Sequence, residues 1–223
     1  MSHPMTATVS VPSPEKPLLR GYSHQIAAVL APVATVLLVA SADSGASATA
    51  AAVFGATAAL LFAVSALYHR VSWSPAARQR MRRLDHAAIF IMIAGGYTPL
   101  FTLVPSASGG HGALLAIWLG SSVGVVKSLV WPGAPKWLTA LLCVGLGWMV
   151  VGEVIERSAV IGSVATGLLV ASGLTYSAGA LVYARKRPDP WPRVFGYHEV
   201  FHLLVIVASG LLFAHVVLLM RGR

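Results

Sequence analysis

The stretch FGYHEVFHLLVIVASGLLFAHVVLLM, residues 195–220, decides the fold. From Val200 onward it is apolar, broken only by His202, Ser209, Gly210 and His215. The run is continuous rather than alternating, so it reads as a spanning helix and not as a strand of a membrane barrel. From about Val194 to Met220 it comprises about 27 residues, or about 40 Å of helix. The hydrocarbon core is only about 30 Å thick. Measured back from Met220, His202 falls just inside one boundary and His198 just outside it.

Six further windows of similar character precede it, at about 24–41, 47–69, 85–104, 111–130, 137–155 and 159–183. Each is near the length of roughly 17–25 residues that a crossing helix needs. The breaks carry turn-forming residues: Asp43-Ser44-Gly45, Ser72-Trp73-Ser74-Pro75, Ser108-Gly109-Gly110, Trp131-Pro132-Gly133 and Pro188-Asp189-Pro190. The fifth and sixth windows are separated only by Glu156-Arg157-Ser158. Composition agrees: the 223 residues are 57% hydrophobic and 10% charged. A soluble domain has about 45–50% and about 25%. The expected fold is therefore an all-α integral membrane protein of seven transmembrane helices. It forms one domain over 24–220, preceded by a flexible tail, 1–23, rich in proline and without an apolar core of its own.

Charge gives the orientation. Thirteen Lys and Arg lie in the tail and the even-numbered breaks, with Arg70, Arg78, Arg80, Arg82 and Arg83 in the second; Arg157, Arg221 and Arg223 lie opposite. The positive-inside rule then places the N-terminus in the cytoplasm and the C-terminus outside. Trp73, Trp131, Trp137 and Trp191 fall at the positive side, where an interfacial belt belongs. The net charge of +9 is spread over short breaks, not gathered on a soluble module, so a membrane accounts for it and nucleic acid does not. The single cysteine, Cys143, has no intrachain partner. Small residues mark packing faces at Gly145/Gly147, Gly162/Gly167 and along the alanine-rich second window. Gly95-Gly96-Tyr97-Thr98-Pro99 interrupts the third window, either as a kink with close packing or as a substrate-lining break.

The ionisable residues converge. His69 closes the second window and Asp85 opens the third, on the side where His198 and His202 open the seventh. His198 and His202 are at i and i+4, hence on one face, as are Ser65 and His69. Two imidazoles from one helix and one from another form a familiar zinc donor set with a fourth position open. Asp85 is placed to orient a water or accept its proton, and Ser65 to hold a substrate oxygen or support a ligand. Plainer readings exist: His69 as an interfacial residue, Asp85 as a helix N-cap. The coincidence of all of these at one depth favours a site, since ionisable groups in a membrane are costly. His86 points about 100° away from Asp85, and His215 lies about 20 Å further along the seventh helix; neither joins the set. Glu199 and Tyr197 flank His198 without a spacing that demands a role. Glu153 and Glu156 read as solvated.

The segments SALYHR (65–70), RRLDHAAIFIMIAGGYTP (82–99) and HEVFH (198–202) resemble the hemolysin III branch of the progestin and adiponectin receptor family. The resemblance runs over essentially the whole chain. It implies zinc held near the cytoplasmic face by His69, His198 and His202, with Asp85 close to the metal through water and Ser65 beside it. Relatives that include the alkaline ceramidases imply hydrolysis of a lipid amide, with ceramide as the type substrate and membrane lipids as partners, in the bacterial inner membrane. The alternative is a non-enzymatic regulator or sensor of membrane state, or a cytolysin-like channel, in which zinc only clamps helix ends.

Overall fold

A computed structural model describes residues 16–105 and 111–222. Among these it contains seven helices: α1 (Tyr22–Ala40), α2 (Gly45–Arg70), α3 (Pro75–Leu103), α4 (His111–Val130), α5 (Lys136–Trp148), α6 (Val151–Arg185) and α7 (Tyr197–Arg221). Six are long and apolar enough to cross a membrane; α5, at 13 residues, is not. The chain is thus an all-α integral membrane protein. Residues 1–15 of the expected tail and the Ser108-Gly109-Gly110 break lie outside the described residues.

The bundle is built around α3, which packs on α2, α4, α5 and α7. Phe90 and Ala94 of α3, Ala50 and Ala51 of α2, Ile117 of α4 and Val216 of α7 are fully buried. The outward faces are as apolar as the core. Val29, Val36 and Leu37 on α1 and Val123 on α4 are each more than 60% exposed. A water-soluble monomer seldom shows apolar patches of that extent, whereas lipid tails cover them at no cost.

Two boundaries differ from expectation in ways that matter for the site. Helix α3 begins ten residues earlier than the third apolar window, because Ser74 caps it and Pro75 takes its first position. Asp85 is therefore an interior residue of α3 and not its N-cap. The helix also runs unbroken through Gly95 to Pro99. Those glycines serve close packing: a Cβ at Gly95 would meet Thr57 of α2 at 2.1 Å, and one at Gly96 would meet Leu212 of α7 at 2.9 Å.

The second difference concerns the fifth break. Residues 156–158 are helical, and the chain turns back at Gly162, whose φ of 79° suits glycine. Trp148 Nε1 donates to Ser177 Oγ at 2.9 Å, so residues about equally far before and after Gly162 stand side by side. Helix α5 and the first three turns of α6 thus run one way, jointed at Met149-Val150, and the rest of α6 returns. The polar look of Glu156-Arg157-Ser158 was misleading because Arg157 is buried, at 1% exposure. It pairs with Glu153, donates from Nε to the Val104 carbonyl at 3.2 Å and covers the Phe101 ring at 4.7 Å. Gly145, Gly147, Gly162 and Gly167 are expected to pack closely, but among the described residues nothing beyond their own chain neighbours and helix backbone lies within 4 Å of a Cβ built on any of them.

Candidate metal centre

The site begins with the last turn of α2. Leu67, Tyr68 and Arg70 face outward in varying degree, which turns Ser65 and His69, one helical turn apart, inward to 2% and 8% exposure. Helix α7 enters against them. Its start is fixed by Glu199, 2% exposed, whose carboxylate accepts from the Gly196 backbone N–H at 2.8 Å and pairs with Arg20. Asp189 accepts from the Tyr197 N–H at 2.7 Å. With that turn anchored, His198 and His202 project from one face.

Three imidazoles meet there. The Nε2 atoms of His69 and His198 are 3.1 Å apart, and one ligand nitrogen from each of His69, His198 and His202 lies within 4.8 Å of the other two. Ring centroids are separated by 4.8 Å for His69 and His198, 5.0 Å for His69 and His202, and 4.5 Å for His198 and His202. Two bare imidazole nitrogens at hydrogen-bond distance need either a proton or a cation between them. No carboxylate belongs to the trio, and Nδ1 of His202 is buried without a partner among the described residues.

Asp85, 9% exposed, comes from the third turn of α3. Asp85, Ser65, His198 and His202 share one wall of a cavity of about 180 Å³. The cavity continues between α3, α5, α6 and α7 past Tyr97 and Trp148 to Val154, Leu169 and Leu212, and is mostly apolar. His69 is not part of that wall and reaches the trio from the α2 side.

Three residues outside the expected set belong to this end of the bundle. His24, on the first turn of α1, is 2% exposed; its Nδ1 lies 2.8 Å from Ser65 Oγ and its ring stacks on His202 at 3.9 Å and 8°. The sequence offered one signal for it, its position at the start of the first apolar window, at the depth of the others. His86 also lines the cavity, with Nε2 3.4 Å from the Tyr183 hydroxyl. Gly21 is the third. Its φ is 81°, and a Cβ there would meet the His69 Cβ at 2.6 Å, so only glycine lets α1 close over the centre. The segment before α1 is tied down by Leu18 and Leu19 N–H groups donating to the carbonyls of Arg193 and Val194, both at 3.0 Å. His215, as expected, stands apart: it is buried at the opposite end, with Nδ1 2.9 Å from the Ala165 carbonyl.

A family model described as "Haemolysin-III related" matches residues 13–213. The chain belongs to this family. Among haemolysin-III proteins it is similar to "Hemolysin-3" of Bacillus cereus, 26% identical over 194 residues, which cover 86% of this chain and 85% of that one. It is likewise similar to a "Hemolysin-3 homolog" of Bacillus subtilis (strain 168), 25% identical over 194 residues, covering 86% and 88%. Together with its long apolar helices, this makes the chain a multi-pass membrane protein, in keeping with a bacterial cell membrane.

Proposed function

We propose that this haemolysin-III protein holds one zinc ion through His69, His198 and His202 and hydrolyses an amide bond of a ceramide-like or other acylated membrane lipid. The observation that carries this reading is a carboxylate-free trio of imidazoles opening onto an apolar cavity that Asp85 and Ser65 share. The donor set fits the metal. Nitrogens around tetrahedral zinc, with bonds of about 2.0–2.1 Å, lie about 3.3 Å apart. The 3.1 Å between His69 and His198 is in that range, and the third nitrogen, within 4.8 Å, needs only a small side-chain adjustment.

When bound, zinc supplies a Lewis acid for a carbonyl and makes hydroxide accessible near neutral pH. The chain does the rest. Asp85 accepts the proton at a carboxylate oxygen and returns it to the leaving amine. Ser65 orients that carboxylate. The cavity holds an acyl chain and excludes water, which strengthens each polar contact at its histidine end. A mostly apolar wall suits an acyl tail better than an ion path. We place this end of the bundle at the cytoplasmic face, with seven crossings in all, on the strength of the basic breaks beside it.

The test is release of fatty acid from a panel of N-acylated and O-acylated lipids by zinc-loaded protein in nanodiscs. Turnover that vanishes in Asp85→Asn while zinc stays bound supports the reading. Full zinc occupancy with no product from any lipid overturns the hydrolase. In that event the contact between the ends of α2 and α7 favours the second reading, a metal clamp in a regulator of membrane state, for which chelation lowers stability and releases nothing.

A further inference from the structure

We propose that His24 is a positioning residue for the metal centre, acting through Ser65; the inference rests on the metal reading above. His24 sits in the first turn of α1, where the Arg20–Glu199 pair ties that helix end to α7 and the Gly21 turn lies against His69 of α2. Its ring is clamped on both sides, stacked on His202 at 3.9 Å and edge-on to Phe62 at 5.2 Å. The clamp leaves Nδ1 aimed at Ser65 Oγ, 2.8 Å away.

Ser65 Oγ has His24 Nδ1 as its hydrogen-bond partner and stands on the cavity wall that also carries Asp85. A hydroxyl both donates and accepts, so the bond to His24 fixes the Ser65 rotor and with it the group that Ser65 presents to that wall. The same ring fixes the plane of His202, which is 1% exposed and has no hydrogen-bonded partner at Nδ1 to hold it. Outer partners of this kind tune a metal site by holding its ligands still.

The experiment uses full-length protein loaded with zinc or cobalt, in four variants: His24→Phe, His24→Asn, Ser65→Ala and His24→Phe/Ser65→Ala. Phe keeps a ring for the stack and removes the nitrogen. Asn loses the ring but keeps an N–H where Nδ1 stood. Zinc affinity is read by chelator competition, and site geometry by the visible bands of the cobalt form. His24→Phe is expected to bind zinc about 10-fold more weakly and to shift the cobalt bands. Ser65→Ala should do the same, and the double variant should be no worse than Ser65→Ala alone, because one pathway is cut twice. His24→Asn should recover the part of the affinity carried by the bond to Ser65, though not the part carried by the ring on His202. Additive losses or unchanged affinity in His24→Phe each overturn the proposal and leave the metal centre standing. Failure of both single His24 variants to fold makes His24 a packing residue and also overturns it. A wild-type protein that binds no metal overturns the centre itself.

Discussion

The bundle buries polar groups at both ends, and the two ends are satisfied in opposite ways. At the end away from the histidine trio, Arg157 meets a carboxylate from Glu153, the Val104 carbonyl that the end of α3 leaves free, and an aromatic face. Its charge is balanced by the chain itself, and the result is a fastening between α3 and α6. At the trio, His69 and His198 point nitrogen at nitrogen, and His24 Nε2 and His202 Nδ1 are buried with no hydrogen-bond partner among the described residues. His215 Nε2 at the other end is unmatched too, but it stands alone, whereas three imidazoles converge at the trio. Burial of a polar residue alone is thus a poor sign of function. Convergence of several imidazole nitrogens on one point is the better one.

The sharpest way to break this contrast is to delete one group at each end. His202→Ala should take the metal content from about one per chain to near zero by elemental analysis, since a three-donor site does not survive on two. Arg157→Met should leave metal content untouched and cost about 3 kcal/mol of stability by uncoupling a buried pair, seen as a lower unfolding temperature. Metal loss in Arg157→Met, or none in His202→Ala, would erase the distinction. Chelation comes next: it should lower the unfolding temperature of the wild type and leave that of His202→Ala unchanged, because a ligand stabilises only the state that binds it. Gly21→Ala should weaken metal binding by about 10-fold, since the added methyl forces His69 aside and strains a positive φ. The smallest effect is expected from Ser74→Ala. It should cost about 1 kcal/mol by fraying the start of α3, with metal affinity unchanged because Asp85 lies two turns beyond the frayed part.

The trio was legible because two of its members share a helix face at i and i+4 and the third ends a helix at the same depth. Periodicity and span length suffice for that. His24 was not, since no neighbour on its own helix marks it and its role comes from a ring stacked across to α7. Asp85 was found for the right depth, but the capping alternative fell only with the structure. The arginine-rich run from Arg78 to Arg83 looks like a loop by hydropathy, yet Ser74 and Pro75 start a helix before it. Arg157 misled in the reverse sense. Charge suggested a turn, and only the packing of α3 against α6 reveals that its guanidinium is internally neutralised. Hydropathy reports what a residue costs in lipid, and it is blind to what a distant partner refunds.

The trio draws one imidazole from α2 and two from α7, and Glu199 and the carbonyls of Arg193 and Val194 at the start of α7 hold down the segment leading into α1. During synthesis, therefore, the three imidazoles meet only after the final helix has emerged. On the metal reading proposed above, metallation is the closing step of biogenesis, and a polypeptide stalled before its final helix would leave the translocon with a first helix that has lost its anchor, a ready object for quality-control proteolysis.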